Sequence, residues 1–235
     1  MQFSLVEMWR QMGWPARSVV LVLLVMSIYF VAIAIERLIK FSAARSLSLS
    51  FVIGLRDKLR ARDLRGALAL SKVQPQSPIA RVVACALDEY AEWRSALGAR
   101  GGDDLDAMDA VQRAIERTRE REVADLRRGL SGLATIASSA PFVGLLGTVM
   151  GIITAFQKMA SEGGGLNAVA GGISEALVTT AFGLLVAIPS VMVFNYFTNR
   201  VDEFIVDMND VASELTSFVT KDGRAPAAQA EAVAK

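Results

Sequence analysis

The sequence predicts an all-α membrane protein with three transmembrane helices and long helical extensions outside the bilayer. Three observations lead there. Of the 235 residues 53% are hydrophobic yet only 7% are aromatic, an apolar share above that of a soluble domain with a solvated surface. Three uncharged or nearly uncharged runs are each long enough to cross a hydrocarbon core of ~30 Å at ~1.5 Å per residue. The stretches between and after them are rich in paired charges at helical spacing.

The first run, SVVLVLLVMSIYFVAIAI, gives a span over 18–36. Glu36, Arg37 and Lys40 follow it directly, where a cleaved signal peptide would carry a small-residue cleavage site. Ahead of it, in 1–17, Leu5, Met8, Trp9 and Met12 recur at helical spacing beside Glu7 and Arg10, which predicts an interfacial helix anchored near Trp14 and Pro15. The second and third spans are expected at 130–157 and 166–198, joined by the short glycine-rich connector 158–165. Basic residues crowd after the first span (Arg37, Lys40, Arg45) and before the second (Arg113, Arg117, Arg119, Arg121, Arg127, Arg128), whereas the connector holds only Lys158. The positive-inside rule then puts the N-terminus on the periplasmic side and both the 37–129 domain and the C-terminus in the cytoplasm.

Within 37–129 the sequence predicts short helices at 49–61, 64–72 and, after Pro75 and Pro78, 79–93. A glycine-rich bend at 98–102 precedes a long charged helix, 105–128, expected to run on into the second span; Asp109 and Arg113 are spaced to pair on it. After the third span, Phe194, Phe197, Val201, Phe204, Met208, Val211, Leu215 and Phe218 fall in alternating steps of three and four. This heptad seam extends the third helix through 199–220 and packs it on the 105–128 helix of the same chain, on a neighbouring copy or, in a ring, on both. The tail, 221–235, has little to bury and is expected to be disordered.

Composition also excludes functions. The chain has no histidine, which removes imidazole bases, the usual hydrolase triads and most zinc sites. Its single cysteine, Cys85, reads as a small apolar helix residue. Gly101 and Gly102 are followed by Asp103 and Asp104, which would repel a phosphate. With 25 basic against 24 acidic residues there is no electrostatic case for nucleic acid. No metal, cofactor or catalytic residue is expected.

The polar groups inside the spans remain. The second span carries Ser138 and Ser139 before Pro141, then Gly144, Gly147, Thr148 and Gly151. Small residues allow close helix approach, with Gly147 and Gly151 at GxxxG spacing, and Pro141, like Pro189 in the third span, predicts a kink. Glu175 sits inside the third span, where a carboxylate costs about 2.5–3.5 kcal/mol on insertion scales. It is therefore expected either on a functional path or bonded to a neighbouring helix. Thr179 lies about 40° from Glu175 around the helix and Thr180 about 140°, so periodicity favours Thr179 as its neighbour. Hydroxyls can hold a water file but cannot store a proton near neutral pH, and one carboxylate is a thin basis for a relay. A second acid, supplied by a partner helix, is the expectation.

The string LATIASSAPFVGLLGTVMGI, at 133–152, followed by GISEAL at 172–177, closely resembles the ExbB/TolQ/MotA proton-channel family, ExbB most, and the three-span order resembles ExbB and TolQ rather than the four-span MotA proteins. The resemblance implies a pentameric ring of this chain in the bacterial inner membrane around a dimer of a single-span partner similar to ExbD or TolR. That partner is expected to carry the titrating aspartate, and a TonB-like periplasm-spanning protein belongs to the same implied set of partners. Protons would be the transported ion, and the proton motive force would energise outer-membrane transport. Carried over residue by residue, Thr148 and Thr180 would line the path and Glu175 would be the acid of the third span; Thr179 stays beside Thr180 on grounds of proximity. A TolQ-like or gliding-type motor is the nearest alternative, and a passive membrane assembly scaffold a more distant one.

Overall fold

The computed structural model describes residues 12–100, 104–162 and 166–233. All its elements are helices: α1 (Trp14–Arg60), α2 (Leu64–Val73), α3 (Pro78–Arg100), α4 (Asp104–Arg127), α5 (Leu130–Glu162) and α6 (Leu166–Val233). No strand occurs among the described residues. Three stretches, within Trp14–Arg60, Met108–Ala160 and Ala170–Thr220, are long and apolar enough to cross a membrane. The interfacial segment expected over 1–17 falls mostly outside the described residues; the helix of the first span begins at Trp14.

The chain divides into two units, Met1–Arg37 with Gly129–Thr198, and Leu38–Arg128 with Asn199–Lys235. In the first, the apolar unit, Val19, Leu23, Ile136, Ala140, Val186 and Ala187 form a buried cluster that joins all three spans, with Met26, Phe30, Val143 and Phe182 packed around it.

The second, charged unit is built on the heptad seam. Val201, Phe204, Met208, Val211 and Leu215 are all buried within the single chain. Phe204 packs on Phe41 of α1 with the rings tilted at 54° and 6.0 Å between centroids, and Asn209 accepts from Arg119 of α4 at 2.7 Å. Pairs Arg45–Glu203, Arg56–Glu214 and Arg127–Asp202 rim the same contacts; exposed as they are, each contributes at most about 1 kcal/mol. Within the chain the seam thus packs against α1 and reaches α4. The expected Asp109–Arg113 pair is present at 3.9 Å.

Several boundaries differ from the sequence reading. The expected separate helix at 49–61 is the end of α1, since no breaker but Gly54 stands between the first span and Arg60. That helix closes in a Schellman motif: the Asp63 N–H donates to the Lys58 carbonyl and the Arg62 N–H to the Leu59 carbonyl, with Arg62 at φ +54°. Asp63 then caps α2 by accepting from the Gly66 N–H. Ser77 likewise accepts from the Ala80 N–H, and Pro78 follows at the first helical position of α3. The helix of α3 persists to Arg100, through the start of the expected bend.

The charged helix does not run unbroken into the second span. It stops at Arg127, and α5 restarts at Leu130 after Gly129, whose φ of +81° is open to glycine and strained for other residues. The expected 158–165 connector is shorter, because α5 continues to Glu162. Past residue 220 the backbone stays helical to Val233, where disorder was the expectation.

Candidate functional site

The site is set by how closely α5 and α6 approach inside the apolar unit. A Cβ placed on Gly183 would lie 2.7 Å from the Ala140 carbonyl oxygen, and one on Gly144 would lie 3.0 Å from the Thr179 carbonyl oxygen and 3.1 Å from the Cα atoms of Thr180 and Gly183. Further along, a Cβ on Gly147 would strike the Thr179 hydroxyl, one on Gly151 would meet Ala176 at 3.0 Å, and one on Gly172 would strike the Ala155 methyl. Small residues thus face small residues over several turns, backbone against backbone, the device by which membrane helices gain dispersion contacts where lipid offers no hydrophobic drive.

This approach brings the threonines to a backbone acceptor. The Thr180 hydroxyl donates to the Gly144 carbonyl at 3.1 Å. Thr179, fully buried, has its hydroxyl 3.5 Å from the same oxygen and donates at 2.7 Å to the Ala176 carbonyl one turn back. The two side chains diverge around α6, as helical geometry requires, yet converge on one oxygen of α5 from either side. Each hydroxyl has its single proton committed to a carbonyl and keeps its oxygen lone pairs as acceptors.

The other expected residues lie elsewhere on the helices. The half-buried Thr148 donates to the Leu145 carbonyl at 2.7 Å. Ser138 and Ser139 both donate to the Thr135 carbonyl, at 3.0 and 2.6 Å, and Ser138 is exposed. Pro141 lies inside α5, which continues through it, and Pro189 precedes the buried Ser190, whose hydroxyl donates to the Val186 carbonyl. Glu175 does not turn toward Thr179. Its Oε1 accepts the backbone N–H of Gly13 at 2.8 Å, at the start of the first span. Among the described residues no cluster of three or more His, Cys, Asp or Glu could hold a metal.

Two parts of the site escaped the sequence reading. Gly172, Ala176 and Gly183 form the α6 half of the small-residue seam; their spacing, with Thr179 and Thr180 between, repeats the pattern read in the second span and was open to the same reading. The Gly13–Glu175 bond joins positions 162 residues apart and has no local signature.

A family model described as the MotA/TolQ/ExbB proton channel family matches residues 74–210. Among curated proteins, the chain is 37% identical over 168 residues to a "Biopolymer transport protein ExbB" of Xanthomonas campestris pv. campestris, covering 70% of this chain and 66% of that relative. It is 38% identical over 151 residues to a "Tol-Pal system protein TolQ" of Pseudomonas aeruginosa, covering 63% and 64% respectively. With a "Biopolymer transport protein ExbB" of Neisseria meningitidis the identity is 31% over 200 residues, 84% of this chain and 89% of the relative. The first two alignments thus span just under two thirds of the relatives' own length.

Proposed function

Because the chain belongs to the MotA/TolQ/ExbB proton channel family, we propose that it is the channel subunit of a motor driven by the proton motive force in the bacterial inner membrane, energising outer-membrane transport in the manner of ExbB. In this reading the N-terminus is periplasmic and the C-terminus cytoplasmic, and a pentamer of the chain rings a dimer of a single-span, ExbD-like partner that carries the titrating aspartate. A TonB-like protein would take the force across the periplasm. Relatives named ExbB and TolQ match with similar identity, so a TolQ-like motor, which would differ in the partner's periplasmic domain, is the second reading.

The observation that carries the proposal is the convergence of Thr179 and Thr180 on the Gly144 carbonyl across a seam without room for larger side chains. It fixes hydroxyl oxygens, with lone pairs to offer, inside an apolar unit that has no histidine to relay protons. Thr148 and Thr180 would line the path, and the proton would be stored on the partner's carboxylate, because a hydroxyl cannot store it.

Native mass spectrometry of the chain extracted from its own membranes in mild detergent tests the assembly. A pentamer carrying a dimer of a single-span, aspartate-bearing protein is the expected result and names the motor branch. A monomer, or an unrelated partner, would favour a passive scaffold and overturn the proposal.

A further inference from the structure

Gly13 is the N-cap of α1. Its carbonyl accepts from the Arg17 N–H at 3.1 Å, and the helix begins at the next residue. In a capping box, the N–H of the N-cap residue is satisfied by a carboxylate or amide reaching back from the third helical position. Here that position is Ala16, which has nothing to offer. The acceptor is instead Oε1 of Glu175, at 2.8 Å, from the first third of the third span rather than from the first turn of α1. The second span closes the same joint, since a Cβ on Gly13 would stand 3.5 Å from the Thr154 methyl and 4.0 Å from Oε1 of Glu175.

We propose that Glu175 is a positioning residue that caps the first span from the third, fastening the start of α1 to the α5–α6 hairpin. Three features favour it over a chance contact. A donor at the edge of an apolar unit is expensive to leave unbonded, so an acceptor there is needed. A carboxylate is the strongest acceptor available, and it also lies at the positive end of the α1 dipole. Gly13 itself lacks a side chain and so has no polar group of its own to offer the N–H. The clamp gives a costly acid at 175 a structural use, and it adds a role to the residue that the resemblance marks only as the acid of the third span.

Disulfide trapping tests this without any measurement of proton flux, so its failure is distinct from failure of the channel reading. In a Cys85→Ala background of the full chain in its native membranes, Gly13→Cys and Thr154→Cys are oxidised and the extent of cross-linking is compared at position 175. With Glu175 in place the pair is expected to cross-link readily. Glu175→Gln keeps an acceptor oxygen and is expected to retain the cross-link within about twofold, whereas Glu175→Ala lowers its rate about tenfold, the order expected for loss of one charge-assisted hydrogen bond. If Glu175→Ala fails to accumulate in membranes, Glu175→Met fills the volume without a strong acceptor and is read in the same way. Equal cross-linking without an acceptor overturns the clamp, and so does equal loss in Glu175→Gln and Glu175→Ala.

Discussion

At single residues, the close seam between α5 and α6 makes the sharpest demand. Gly183 has a backbone oxygen, that of Ala140, 2.7 Å from where its Cβ would be, and backbone cannot swing aside as a side chain can. Gly183→Ala is therefore expected to cost about 1–3 kcal/mol through overpacking and to part Thr180 from the Gly144 carbonyl. Gly171, with nothing within 4 Å of its Cβ position, is the control: Gly171→Ala is expected to be neutral or slightly stabilising, and thermal unfolding in detergent compares the two. Much of this was legible in the sequence. Gly144, Gly147 and Gly151 were readable as packing positions because small residues at such spacing have one main use in a span. The choice between Thr179 and Thr180 was not, because it was posed relative to Glu175, and periodicity cannot reveal that Glu175 turns to the first span while both threonines meet a carbonyl of the second.

At the level of elements, helix ends rather than helix interiors separate expectation from structure. The heptad seam was readable because apolar residues recur in steps of three and four from Val201 to Leu215, and α6 buries all of them in the charged unit. The end of α1 was not, because its signal is a non-glycine residue doing a glycine's work. Arg62 holds φ +54° at the C′ position of a Schellman motif, where a Cβ is unfavourable by about 1 kcal/mol. Arg62→Gly is expected to raise stability by about 0.5–1 kcal/mol, the relief of strain exceeding the added freedom of the unfolded chain; unchanged or lower stability in chemical denaturation would show that the αL conformation is not the cost assigned to it. The break at Gly129 was missed for the converse reason: one glycine at φ +81° ends the charged helix where an unbroken run into the second span was expected.

For the molecule as a whole, the two units place different demands on charge. In the charged unit Glu122 is 5% exposed beside Arg81. Burial pushes its carboxyl above the ordinary value of 4.5; Arg81 opposes this and Asp125 reinforces it. The folded chain therefore holds this proton more tightly than the unfolded chain. The stability gained is fully present below pH 4.5 and is lost as pH rises through the raised value. Asp63 runs the other way: its bond from the Gly66 N–H and its contact with Lys58 hold it below 3.8, so its contribution is present above that pH and disappears in stronger acid. Glu122→Gln is expected to remove the first dependence, so that its melting temperature gains on that of the parent as pH rises from 4.5 toward 7; a constant difference would contradict it.

The apolar unit, by contrast, has hydroxyls where a relay would need acids, and so the account places proton storage on a partner and proton passage at Thr148 and Thr180. The most direct measurement is proton flux into liposomes holding the chain co-purified with its membrane partner, comparing the parent with Thr148→Val and Thr180→Val, which keep the shape and remove the hydroxyl. The account predicts that both variants assemble normally and that flux falls by roughly tenfold or more, the scale of one lost hydrogen-bonding group on a buried path. Full flux through both normally assembled variants would contradict it.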